Sequence, residues 1–265
     1  MTMNERGWCW QELGGVGWWR AEPLELFGVG AVFASRRGGV SPPPYDTLNQ
    51  GGSGGDDPRR VAENRARFAR AAGFALDASA RVRQVHGAAV CLARAPGDYG
   101  EADALIATGS DAVLTVLVAD CAAIQLLDPG RRAIGLCHAG WRGVVADAPG
   151  AAVRALRDTY GSDPGGLWAA VGPCIGACCY EVDRPVTQAL RAAVPWADAV
   201  LSPVDAIHAR FDLAEANRLR LLDAGLEPSR IHLAGICTAC HPDRLFSYRR
   251  DGRRSGRMLA AIWTP

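Results

Sequence analysis

The hydrophobic and polar positions of this chain follow two rhythms, one near every second residue and one near every three to four. Period-two or continuous apolar runs predict strands at 28–35, in a cluster from 81 to 138, and at 167–172, 230–236, 245–249 and 258–263. Helical spacing is clearest after Asp57, where Val61, Asn64, Arg65, Phe68, Ala69 and Ala72 share a face. Asp57 suits the N-cap, Pro58 the first turn and Gly73 the stop. Further helices fit residues 143–160, with Pro149 as a kink or restart, 184–194, and 213–224, the last opened by a capping box of Asp212 and Glu215. Helices scattered among strands, without strict alternation, argue for the α/β (α+β) class: a single layered domain with mixed β-sheets flanked by helices. A doubly wound fold is not expected, since neither GxGxxG after a strand nor a P-loop occurs. Residues 1–24, rich in Trp and Gly, read as an N-terminal extension or edge strand, and 25–265 as the single domain. Residues 35–57 form a long loop dense in Gly, Pro and Asp. Such a loop is either disordered or functional, and its arginines and Asn49 favour function.

Three short segments end β-rich runs with metal-ligand chemistry: QVHG at 84–87, VADC at 118–121 and LCHAGWRG at 136–143. Strand ends converge at one edge of a sheet, so His86, Cys121 and His138 can meet there. Two imidazoles and a thiolate suit Zn²⁺, and three protein ligands leave a fourth tetrahedral position open, the catalytic pattern. On the residues alone, a lone histidine after a strand is more often a satisfied structural residue, and Cys121 can be a buried thiol, so ligand spacing across strands carries little signal. Asp120, beside Cys121, is a candidate partner for a ligating imidazole, unless its side chain points to the other face of the strand.

Composition narrows the partners. The 265 residues, 49% hydrophobic with a formal net charge of +1, can bury a sizeable core and offer no field for nucleic acid or an anionic membrane. No apolar run is long enough to span a bilayer, and the N-terminus has no secretory pattern, so a cytoplasmic protein with reduced thiols is expected. Of nine cysteines, Cys91, Cys137 and Cys237 read as small buried hydrophobes in strands. Cys178–Cys179 and Cys237/Cys240 look like zinc-knuckle fragments. A single CxxC with no second pair at zinc-ribbon distance argues against a structural four-cysteine zinc site.

Taken in order, QVHG, ADALIAT, VADC, HAGWRG, GPCIG and LFSYRRDG-x₃-GR-x₅-W resemble the YfiH family over roughly residues 28–263. That family is also labelled "laccase domain" or multicopper polyphenol oxidoreductase, and more recently purine nucleoside phosphorylase. The loop 35–57 is similar to the family's N-terminal signature, departing from it at Ser35, Pro43, Thr47, Gly54 and Gly55. The resemblance implies zinc held by His86, Cys121 and His138. It implies phosphorolysis of purine nucleosides (adenosine, inosine, methylthioadenosine) and hydrolytic deamination of adenosine. It also implies a layered fold similar to a bacterial toxin deamidase domain. The laccase label fails on arithmetic: five histidines, none two residues from another, cannot build a multicopper centre. Copper can still occupy the trio in vitro, because it outcompetes zinc at equal ligands.

Phosphorolysis requires an anion site, and arginine's planar fork suits phosphate. Arg36, between Gly-rich turns, and Arg142, four residues past His138, are the candidates; Arg249 and Arg250 come second. Asn49 is placed at a ribose hydroxyl or purine edge. Gln84 shares a strand face with His86 and is expected to reach the metal-bound species. Glu181, Glu101 and the nearer Asp120 are the candidate proton carriers. The expected partners are a purine nucleoside and phosphate, on a monomer or small homo-oligomer. The alternative is a cysteine-type amide hydrolase (peptidoglycan-precursor editing) with Cys121 as nucleophile; a non-catalytic zinc-stabilised module ranks below it.

Overall fold

Two mixed sheets carry the core, and the chain changes sheet three times at one end of them. The computed structural model describes residues 4–5, 7–52 and 54–265. Residues 1–3, 6 and 53 lie outside it, and with them part of the expected N-terminal extension and of the long loop. The larger sheet runs, edge to edge, through Asn4–Glu5, Trp8–Leu13, Val16–Ala21, Gly30–Ala34, Met258–Trp263, Val113–Val118, Ser79–Arg83 and Gly97–Glu101. The second runs through Ile231–Leu233, Trp168–Val171, Ala122–Asp128, Ala133–Ala139, Ala104–Thr108 and Val90–Leu92. A small third sheet joins Glu181–Val182, Ala209–Phe211 and Leu201–Pro203.

Every residue of Ala122–Asp128 and Ala133–Ala139 is buried, because both faces of the second sheet are covered. Ala123, Leu127, Ile134 and Leu136 pack toward the larger sheet, while Ala122, Ile124, Leu126, Ala133 and Cys137 pack toward helices Ala148–Tyr160 and Leu213–Asp223. Gln125 lies on the inter-sheet face. Its Nε2 donates to the carbonyls of Val32 (3.0 Å) and Ala261 (2.9 Å), so this buried amide fixes one sheet against the other.

The helix after Asp57 forms as expected, Pro58–Ala72, capped by the Asp57 side chain and closed by Gly73 at φ 82°. Residues 143–160 divide into Trp141–Val145 and Ala148–Tyr160. Asp147, at φ 60°, caps the second helix and Pro149 sits in its first turn, so the proline restarts the helix. The expected strand at 245–249 does not form. Ser247 caps the short helix Tyr248–Asp251 instead, and the Arg249 N–H is taken by Asp120. The strand expected at 230–236 shortens to Ile231–Leu233, with Gly235 turning at φ 68°. Strands Trp8–Leu13 and Val16–Ala21 extend the larger sheet, and Trp8, Trp18 and Trp19 are buried against it. Among the described residues no helix is long and apolar enough to cross a membrane.

Candidate active site

The three changes of sheet build the site. The chain leaves Ser79–Arg83 through His86 for Val90–Leu92, leaves Gly97–Glu101 through Asp103 for Ala104–Thr108, and leaves Val113–Val118 through Cys121 for Ala122–Asp128. His138 is the penultimate residue of Ala133–Ala139, paired with Ala123. The site therefore lies on the seam between two sheets, not at the edge of one. There the ligand atoms of His86, Cys121 and His138 lie within 4.8 Å of one another. His86 (φ 61°) and Asp120 (φ 84°) take left-handed backbone conformations that cost most residues about 1–3 kcal/mol. A Cβ on Gly140 would stand 2.7 Å from Cys121 Sγ, so only glycine leaves the thiol its place.

Asp103 organises this corner, and sequence reasoning missed it. Its carboxylate, fully buried, accepts hydrogen bonds from the backbone N–H groups of Gly87 (2.6 Å), His86 (2.9 Å) and Val85 (3.3 Å). It also lies 2.8 Å from His138 Nδ1. One acid therefore holds the His86 turn in its strained shape and fixes the His138 tautomer, leaving Nε2 to face Cys121. Burial opposes ionisation of Asp103, but the bonds from His138, Gly87 and His86 hold its pKa below the usual carboxylate value. Burial likewise opposes the Cys121 thiolate, yet His138 and His86 outweigh it and pull the thiol pKa down. His138 is raised by the thiolate and Asp103 against the effect of burial. Both shifts run in the direction of a thiolate beside an imidazolium. A divalent cation would replace the imidazolium proton. The three-donor group fits a borderline-soft ion and leaves it a position free for substrate. Asp120 is not the partner expected for an imidazole: its carboxylate accepts from Thr238 Oγ1 (2.5 Å) and Arg249 N (2.6 Å).

The trio opens into a cleft of about 860 Å³. Arg142, Arg249, Arg257 and Tyr180 line it. The Arg142 guanidinium stacks on Trp141 at 4.3 Å and makes no hydrogen bond or ion pair among the described residues. Arg249 lies over Tyr180 and donates to the Glu181 carbonyl; Arg257 donates to the carbonyls of Ser255 and Gly256. Arg257 was not singled out in the sequence, although it is the arginine of the GR pair in the C-terminal motif.

Four expectations move. Arg36 is off the cleft, donating to the carbonyls of Asp46 and Pro242 and stacking on Phe246. Asn49 is buried away from it, bonded to Gly51, Asp56 and Arg257 N. Gln84 lines the cleft, but both ends of its amide pair with the Leu117 backbone, extending the strand pairing as a side-chain clip. Arg250 is spent on Asp251 and on the carbonyls of Thr238, Ala239 and Leu245. Neither Glu101, paired with Arg83, nor Glu181 lines the cleft.

The chain is 36% identical over 262 residues to the purine nucleoside phosphorylase YlmD of Geobacillus stearothermophilus, covering 93% of this chain and 94% of that one. It is 42% identical over 234 residues to a purine nucleoside phosphorylase of Deinococcus radiodurans, covering 88% of each. The crystal structure of YlmD from G. stearothermophilus matches with a TM-score of 0.91 at 34% identity, over 96% of this chain and 97% of that one. The YfiH protein of Bacillus licheniformis matches with a TM-score of 0.89 at 28% identity, over 97% and 99%. Residues 30–265 match the family described as multi-copper polyphenol oxidoreductase laccase, and the chain belongs to that family, the one that includes YfiH and YlmD.

Proposed function

We propose that the cleft carries out zinc-dependent phosphorolysis of purine nucleosides (adenosine, inosine and methylthioadenosine), with hydrolytic deamination of adenosine as a second activity. The observation that carries this reading is a set of guanidiniums, Arg142, Arg249 and Arg257, sharing one cleft with the metal-ligating trio. Its volume suits a nucleoside beside a phosphate. In phosphorolysis a phosphate oxygen bonds to the sugar's anomeric carbon as the glycosidic bond breaks, and the purine departs with a proton. The transition state carries positive charge on the sugar. Arg142, free of other bonds, grips the phosphate fork to fork. Burial pushes the Tyr180 hydroxyl well above its usual pKa, so it stays protonated as a hydrogen-bond donor to the departing base, whose proton comes from solvent water. His86, Cys121 and His138 would hold zinc, which would supply Lewis acidity there. Copper-cluster chemistry has no support in this geometry. Of the remaining histidines, His208 bonds to Asp205 and His232 stacks on Trp168.

The direct test is release of adenine from adenosine with and without phosphate. Strict phosphate dependence is expected. Arg142→Ala should raise the phosphate KM by roughly 10- to 100-fold, the cost of losing a charge-assisted contact, with a smaller change in the nucleoside KM. Arg36→Ala should leave the phosphate KM in place. Adenine release that ignores phosphate would sink the reading.

One observation favours the amide-hydrolase alternative: Cys121, His138 and Asp103 stand in the order nucleophile, base and orienting acid. A zinc-bound thiolate is shielded, whereas a nucleophile is exposed to reagents. Iodoacetamide should therefore modify Cys121 rapidly only after chelation of the protein. Equal rates before and after chelation would favour the hydrolase.

A further inference from the structure

A second group of sulfurs stands outside the cleft. Trp168–Val171 and Ile231–Leu233 are parallel neighbours, so the loops that follow them emerge side by side. An isolated backbone β-bridge pairs Cys174 with Cys237 across these loops, both thiols being free. It brings together Cys178, Cys179, Cys237 and Cys240, whose Sγ atoms all lie within 4.8 Å of one another. Cys240 Sγ is 3.5 Å from Cys178 Sγ and 3.4 Å from Cys179 Sγ. Four sulfurs arranged tetrahedrally at a Zn–S length of about 2.3 Å stand about 3.8 Å apart. The two Cys240 spacings fall a little below that value, and no pair of the four exceeds 4.8 Å.

The surroundings are built for sulfur carrying negative charge. The Gly176 N–H donates to Cys237 Sγ at 3.3 Å, and the backbone of Ala239 and Cys240 bonds the same atom. Gly176 keeps the cradle open: a Cβ there would meet Cys178 Sγ at 3.3 Å and Cys237 Sγ at 3.6 Å.

We propose that Cys178, Cys179, Cys237 and Cys240 form a second, closed metal site that takes a soft divalent cation, zinc by class, independently of His86, Cys121 and His138. Four protein ligands leave no open position, so the role is structural. The ion would staple two loops that shape the cleft. Ile175 and Tyr180 on the first loop line it, and the Ile175 N–H bonds the Asp120 carbonyl at 2.9 Å. On the second loop the Thr238 hydroxyl holds the Asp120 carboxylate. The staple thus positions the strained residue next to Cys121 without touching substrate.

The test counts zinc in the purified full-length protein under reducing conditions. Wild type should hold two ions per chain and Cys121→Ser should keep one; Cys178→Ser with Cys240→Ser should also keep one. Should the double variant not fold, cobalt reconstitution of Cys121→Ser decides: four of the five thiolates remain, and a strong thiolate-to-cobalt charge-transfer band should persist. Loss of all metal from Cys121→Ser overturns the proposal. So does a disulfide joining Cys240 to Cys178 or Cys179 in protein alkylated before lysis. Because Cys121→Ser destroys the other site, the outcome does not depend on whether the cleft cleaves nucleosides.

Discussion

Replacing His86, Cys121 or His138 with alanine is expected to lower phosphate-dependent adenine release by about a thousandfold or more, the equivalent of the several kcal/mol that a Lewis acid contributes at a reacting centre. Each variant should also lose the ion held by the trio. The structural consequences should differ. His138 is buried and carries the hydrogen bond to Asp103, so His138→Ala leaves an ionised carboxylate buried without its ring partner and should destabilise the fold as well. His86 is exposed at its turn, and the bonds from Asp103 reach its backbone, not its ring. His86→Ala should therefore fold nearly as well as wild type while failing in catalysis. Steady-state kinetics, metal content and urea unfolding on the same preparations separate these effects. Full turnover in a folded His86→Ala protein free of metal at the trio would remove the ion from the mechanism.

The sequence carried the ligands and the caps but hid what lies between them. His86, Cys121 and His138 each sit at a strand end, which the apolar runs mark, and Asp57 and Asp212 cap their helices through short-range chemistry. Asp103 was printed inside ADALIAT, yet adjacency drew attention to Asp120. Only the pairing of two sheets shows that the crossover at Asp103 lies against those at His86 and Cys121. The polar residues of the Gly-rich loop misled for a related reason. Asn49, Ser41 and Asp56 form a buried network around Asn64, because a long loop packed on a core must satisfy its own backbone. Cys237 reads as a buried hydrophobe in a strand until parallel pairing sets its loop beside Cys178. At 245–249 a serine cap overrode strand propensity.

Asp103 should prove the most sensitive position outside the ligands. In Asp103→Ala the N–H groups of Val85, His86 and Gly87 lose their shared acceptor, and each unsatisfied donor in this part-buried turn costs up to about 1–3 kcal/mol. A loss on the order of 4 kcal/mol is expected, a large part of the 5–15 kcal/mol typical of a domain. Asp103→Asn keeps one acceptor oxygen and should lose less stability. It should still weaken metal binding by about 10- to 100-fold, because His138 Nδ1 loses its charged partner. Linkage adds a pH signature. The folded pKa of Asp103 is depressed, so its stabilising contribution is full above the unfolded value of about 3.9 and is lost as pH falls through the lower folded value. Asp103→Asn should therefore flatten the acid limb of the stability curve below about pH 4. Urea midpoints across pH and zinc competition against a chelator read the two effects separately. Wild-type stability in Asp103→Ala would mean that water or backbone rearrangement satisfies the His86 turn, and the strained turn would then need another support.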